Sequence, residues 1–266
     1  MIEKILFPVD FSDSCEAMAS YVKRAAAMFG SRVTLVHVYD LASHNGFELY
    51  VRPSQEIAEE HRTIARRRLD SFLSTEFPPA DCPRILRSGE AAEEIAEVAR
   101  TGGFALIVIP THAGRFRRML LGSTAAKVLN DADCLVMTTE HAETIHPRPL
   151  EHRQWVCGIH LNGDSERVLR LTSSAAAQVG ASLLLVHSGN TNEASVRLGE
   201  LQKAVGCKAD VRIAPGPMKE ALIETARESA ADLLIIGRTP QSGSLGRMRD
   251  LIYTVVRDSP IPVLSV

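Results

Sequence analysis

Leu106-Ile107-Val108-Ile109-Pro110-Thr111-His112-Ala113-Gly114-Arg115-Phe116-Arg117-Arg118-Met119-Leu120-Leu121-Gly122-Ser123-Thr124-Ala125-Ala126-Lys127 reads as three pieces in a row. A run of branched apolar residues predicts a buried strand, a basic loop follows, and Gly-Ser-Thr before Ala-Ala-Lys starts a helix. A loop of this kind holds anions. A helix start offers free backbone N–H groups and hydroxyls, and arginines add charge. No nucleophile or base stands beside it, so binding is expected before catalysis.

Working outward, the same alternation continues on both sides. Lys4 to Val9 reads as a buried strand, and Ser12 or Asp13 as the N-cap of a helix closed by Gly30. Val33 to Tyr39 is a second strand, apolar on both faces as parallel strands tend to be. A polar connection, Asp40 to Arg52, leads to a charged helix from Ser54 to about Thr75 that Pro78-Pro79 ends. Ile85-Leu86-Arg87 is a short strand, and Gly89 to Ala99 is a helix with acids near its start. After the opening stretch, whose helix runs to about Asn130, Cys134 to Thr138 is a last strand. The order β-α-β-α-β-α-β-α-β predicts a doubly wound parallel α/β sheet. In such sheets ligands bind beyond the C-terminal ends of the strands, where both Asp10 and the Pro110–Gly114 loop fall.

The polar stretch 141–154, with Pro147 and Pro149, reads as a linker between a domain at 1–140 and a second at 155–266. Beyond it the pattern restarts. Phe29-Gly30-Ser31-Arg32-Val33-Thr34-Leu35-Val36-His37 is echoed by Val179-Gly180-Ala181-Ser182-Leu183-Leu184-Leu185-Val186-His187, an offset of 150. Ser88-Gly89 is echoed by Pro215-Gly216, and Asp131 to Val136 by Asp258 to Val263, at an offset of 127. The second copy is therefore 23 residues shorter between its second and third strands, where the first carries its long connection and charged helix. Two units of this size each have room for a core, which argues for tandem domains rather than a solenoid.

Bulk composition excludes several classes. With 266 residues, 45% hydrophobic, 23% charged and a net charge of -2, the chain has no general pull toward nucleic acid or an anionic membrane. No apolar run has the length of a membrane span, and no signal peptide is read at the N-terminus. Five scattered cysteines without CxxC or Cys/His spacing speak for reduced, cytoplasmic thiols and against a metal site. No GxxxxGK[ST], GxGxxG after the first strand, or GxSxG is present.

Three features together resemble tandem universal stress proteins over nearly all of both halves. They are Ile5-Leu6-Phe7-Pro8-Val9-Asp10-Phe11-Ser12, the strand Leu35-Val36-His37-Val38, and Leu121-Gly122-Ser123-Thr124-Ala125-Ala126-Lys127-Val128-Leu129 before a terminal apolar strand. The resemblance implies two Rossmann-like domains, each with a five-stranded parallel sheet, forming an intramolecular pseudo-dimer. It implies ATP, with or without Mg, as ligand, and a stress-response role. Asp10, with its neighbours Pro8, Val9 and Ser12, would meet the adenine base, and Val38 would line the base or ribose pocket. Ser123 and Thr124 would hold phosphate. The family's Gly-x-x-Gly, nine residues, Gly-Ser/Thr pattern falls on Pro110, on Ala113 or its neighbour, and on Gly122-Ser123, with Gly114 one residue late. The charge and position of Arg115, Arg117 and Arg118, together with Thr111 and His112, add candidates at the phosphate end. Family dimers associate through the last strand, so Cys134–Thr138 and Pro262–Val266 are the implied contact, with a homodimer as the further option. The second copy departs further. His160 replaces Asp10, and Arg249 and Asp250 replace Gly122 and Ser123, while Gly237 restores the first glycine and Pro240 takes the second. An aspartate there repels phosphate, so no triphosphate is expected in the second half.

Each candidate has an ordinary reading beside it. Asp10 reads a base or caps the following helix, and the two are compatible. His37 and His187 read as core histidines with backbone partners before they read as catalytic. Arg66-Arg67-Arg68 is an anion patch or a solvated face balanced by Glu56, Glu59 and Glu60. His112 touches phosphate or is a solvated loop residue, and Gly243-Ser244-Leu245-Gly246 is a flexible loop more readily than a phosphate loop. Three functions stay open: an ATP-binding stress protein, a nucleotide-independent interaction protein (motivated by Pro110 and Ala113), and a weak ATP hydrolase without a nameable base.

Overall fold

The computed structural model describes residues 2–40, 55–111, 121–139, 153–189, 191–238 and 245–266. Strands β1 (Lys4–Pro8), β2 (Arg32–Tyr39), β3 (Arg84–Ser88), β4 (Leu106–Pro110) and β5 (Leu135–Thr139) alternate with helices α1 (Asp13–Phe29), α2 (Gln55–Ser71), α3 (Ala91–Gly102) and α4 (Ser123–Asp131). The second half repeats the series: β6 (Gln154–Gly158), α5 (Ser165–Val179), β7 (Ser182–Ser188), α6 (Thr191–Val205), β8 (Asp210–Ala214), α7 (Met218–Glu228), β9 (Leu233–Ile236), α8 (Leu245–Asp258) and β10 (Val263–Ser265).

Among the described residues these strands form one sheet in the order β3-β2-β1-β4-β5-β10-β9-β6-β7-β8. Each half is parallel throughout, and the halves meet where β10 runs antiparallel to β5, with Val263 opposite Thr138 and Ser265 opposite Val136. The contact that the resemblance places between last strands is thus made within one chain. The repeat offsets are also the structural ones: Val36 pairs with Ile85 in the first half, and Val186 with Arg212 in the second.

Alternation along each strand divides the core into two layers. Ile5, Phe7, Leu35, Leu106 and Val108 face α1 and α2, and their counterparts face α5 and α6. Leu6, Val36, Ile107 and Ile109 face α3 and α4, and the second half continues this layer with α7 and α8. Ser12 is the N-cap of α1, and Gly30 closes that helix at φ 66°. Gly180 does the same for α5 at φ 66°. Most of the loss of 23 residues falls on the connections before and after the helix, since α6 (Thr191–Val205) occupies the place of α2 (Gln55–Ser71) and is only two residues shorter.

One cross-half contact bears on the site. Arg238, just past β9, donates from Nη1 to the carbonyls of Leu129 (3.0 Å) and Ala132 (2.8 Å), and from Nη2 to that of Cys134. A cation thus caps the C-terminal end of α4, the favourable end of the helix dipole for positive charge.

Candidate functional site

The first half has its switch point between β1 and β4, whose neighbours on the other sides are β2 and β5. A cleft of about 660 Å³ opens there, at the C-terminal ends of the strands. Pro8, Val9, Asp10, Val38, Pro110, Thr111, Gly122, Ser123 and Thr124 line it, so nine sequence candidates converge on one cavity. Ser12 is set apart: it holds Asp10 and caps α1, and does not line the cleft. His112, Ala113, Gly114, Arg115, Arg117 and Arg118 lie outside the described residues, as do residues 239–244 of the second half.

At the β1 end, Asp10 is exposed and its Oδ1 is well occupied. It accepts from the Ser12 N–H (3.0 Å), the Ser12 hydroxyl (2.5 Å) and the Cys15 thiol (3.0 Å). Burial, reinforced by the Asp10 charge, pushes the Cys15 thiol far up, so Cys15 stays a protonated donor. Both readings of Asp10 therefore hold geometrically: it organises the start of α1 and it faces the cleft. His37 Nδ1 donates to the Val9 carbonyl at 2.8 Å, and His187 Nδ1 to that of Ile159 at 2.7 Å, which is the backbone-partner role. Burial holds His37 below the usual imidazole range, keeping it neutral.

At the α4 end, Gly122 is the N-cap and no side chain caps the helix. The Gly122 N–H itself is spent on the Thr111 carbonyl at 2.7 Å, which joins the two ends of the 112–121 loop. Ser123, Thr124 and Ala125 of the first turn line the cleft, and an uncapped helix start is a ready anion cradle. Glu90 ties the two walls together. It caps α3 through the Glu93 N–H (2.9 Å) and takes the Lys127 ammonium of α4 (2.9 Å).

Several lining residues escaped the sequence reading: Cys15 from α1, Ala91 and Ile95 from α3, and Leu121. The first three are ordinary apolar positions of helices, and Leu121 precedes the N-cap of α4. Nothing in their spacing distinguishes a cleft wall from core.

In the second half a small cavity of about 10 Å³ lies at the ends of β6 and β9 on the α5 side, lined by Gly158, His160, Asp164, Val168 and Gly237. Gly158 and Gly237 stand where the first half has Pro8 and Pro110. A Cβ on Gly158 would meet Leu222 at 3.1 Å, and one on Gly237 would meet Val168 at 2.8 Å. Side chains of α7 and α5 pack closely against the two glycines. Gly237, read from sequence as a restored phosphate-loop glycine, is used for packing. Helix α8 also starts at Leu245, whereas the position matching Ser123 is Asp250, so the helix start is displaced by more than a turn.

The universal stress protein family matches residues 1–139 and 165–266. Among solved structures, the chain is similar to a universal stress protein from Archaeoglobus fulgidus DSM 4304, at 18% identity over 100% of this chain and 96% of that one, with a TM-score of 0.72. It is also similar to a functionally unknown protein from Pseudomonas aeruginosa PAO1, at 17% identity over 100% and 92% of the two chains, with a TM-score of 0.63. These two likenesses speak for the fold.

Proposed function

The chain belongs to the universal stress protein family, with one copy of the domain in each half, and on that premise we propose that its first half binds one adenine nucleotide, ATP, in the cleft between β1 and β4. The carrying observation is a cleft of about 660 Å³ with Asp10 at one end and an uncapped helix start at the other. That volume suits a nucleotide. Asp10 and Val38 take the base and ribose, and Gly122, Ser123 and Thr124 take phosphate. Arg115, Arg117 and Arg118, with His112, add charge from the loop between. Any Mg travels with the triphosphate, because among the described residues no group of three or more His, Cys, Asp or Glu could hold a metal.

The proposed unit is residues 1–140 joined through 141–154 to 155–266. The second domain acts as a resident partner that supplies β10 and Arg238, and the protein serves a regulatory, stress-linked role through its nucleotide state. With β5 and β10 paired inside one chain, a homodimer would need other surfaces.

Calorimetric titration with ATP, with and without Mg, tests the reading. One ATP per chain is expected, and Ser123→Asp abolishes binding while leaving the fold intact, since it places a carboxylate where phosphate sits. Folded wild-type protein that gives neither heat nor a thermal shift at about millimolar ATP overturns the reading in favour of a nucleotide-independent interaction protein.

A further inference from the structure

The turn after β1 is held in an uncommon conformation. Phe11 has φ 65°, and its counterpart after β6, Leu161, has φ 53°. Non-glycine residues pay a steric cost there and persist only where surroundings over-determine them. In both halves an arginine of the helix between the second and third strands reaches this residue. Arg197 of α6 donates to the Leu161 carbonyl at 2.6 Å. Arg68 of α2 lies with its guanidinium carbon 4.6 Å from the centre of the Phe11 ring.

The first half adds an aromatic stack that leucine cannot make. The Phe11 ring lies 4.2 Å from the His37 ring and 5.2 Å from Phe72, edge-on. His37 in turn holds the Val9 carbonyl. Asp10 therefore sits between two residues, Val9 and Phe11, that are both tied to His37. The far side of the stack is anchored as well. Arg84 of β3 donates to the carbonyls of Leu69 (2.7 Å), Phe72 (2.9 Å) and Phe77 (2.8 Å), fixing the end of α2 to the edge of the sheet. A continuous chain of contacts runs from the edge strand through α2 to the residue beside Asp10.

We propose that Phe11 and Arg68 are positioning residues for Asp10, so that α2, none of whose residues lines the cleft, sets how tightly and how selectively the base end of the cleft holds an adenine; this rests on the nucleotide reading above. Arg68 is exposed, so its removal leaves the core untouched. Leucine is the residue the second half carries at the same left-handed position, so Phe11→Leu keeps a tolerated backbone.

Two readouts on the full chain test this. First, ATP and GTP are titrated into wild type, Arg68→Ala, Arg68→Lys, Phe11→Leu and, as a same-helix control, Arg67→Ala. Arg68→Ala and Phe11→Leu are expected to raise the ATP dissociation constant about three- to tenfold and to shrink the ATP-over-GTP preference. Arg68→Lys restores most of it, and Arg67→Ala matches wild type. Unchanged ATP affinity, or an equal loss for both nucleotides, overturns the proposal, the latter because a merely structural role weakens both alike.

Second, the rate of Cys15 labelling by a thiol reagent is mapped by mass spectrometry without nucleotide. Cys15 lines the cleft and donates to Asp10, so a loosened Asp10 raises its labelling in Arg68→Ala and Phe11→Leu but not in Arg67→Ala. Equal rates in all variants overturn the proposal whatever the titrations give. Should wild type bind no ATP at all, the nucleotide reading falls, and the labelling alone decides whether the positioning chain exists.

Discussion

Pro8 and Pro110 in the first half are replaced by Gly158 and Gly237 in the second. Leu222 and Val168 pack closely against the two glycines, where a Cβ would meet them at 3.1 and 2.8 Å. Adding one methyl group at position 237 should therefore be felt. Gly237→Ala is expected to lose about 1–3 kcal/mol through overpacking against Val168, read as a lower urea midpoint with unchanged slope. The same change is not expected to open a nucleotide site, because the helix start that would take phosphate is displaced. Asp10 shows the same economy at residue scale. One carboxylate oxygen organises the first turn of α1, and the group still faces the cleft.

Among the elements, α4 carries most of the argument and is the least self-sufficient. It has nine residues, an N-cap without a side-chain bond, and no basic residue in its last turn. A helix this short is marginal unless its ends are held. Thr111 holds one end through the Gly122 N–H, and Arg238 holds the other from the second half. Arg238→Met is expected to cost about 2–4 kcal/mol, since it leaves several carbonyls without their charged donor. It should also weaken ATP binding, because α4 presents Gly122-Ser123. Denaturation midpoints and titration calorimetry read the two effects separately. A stable variant with unchanged ATP affinity would show that α4 does not depend on its neighbour half.

Across the whole molecule, burial of two histidines sets a pH dependence. His37 and His160 are both held below the ordinary imidazole value of 6.5, chiefly by burial, and His160 also by neighbouring His187. In the unfolded chain they bind protons more readily than in the folded one. Their contribution is present in full above the unfolded value, and is lost as pH falls from about 6.5 through their lower folded values. Urea midpoints are expected to fall between about pH 7.5 and pH 5.5, and His160→Gln should flatten the fall by removing one of the two groups. A midpoint that rises on acidification would contradict the burial of both rings.

The sequence by itself determined the strand–helix alternation, the tandem repeat with offsets that the strand register reproduces, an N-cap at Ser12 or Asp13, the backbone partners of His37 and His187, and the convergence of Asp10 with Gly122-Ser123-Thr124. These are readable because they rest on periodicity and on residues whose chemistry is local: a cap, a left-handed glycine, a strand end. Tertiary structure alone decided the rest. The resemblance implied that the last strands meet; that they do so antiparallel, with Met137 opposite Leu264 across 127 residues, is set by pairing between the halves. That Ile95 walls a cleft while its counterpart Leu222 packs against Gly158 depends on what faces each from another element. That Arg238 caps a helix of the other half has no local signature at all. Side chains far apart in the chain meet only once the sheet has placed them, and what each contact is worth depends on the space its neighbours leave.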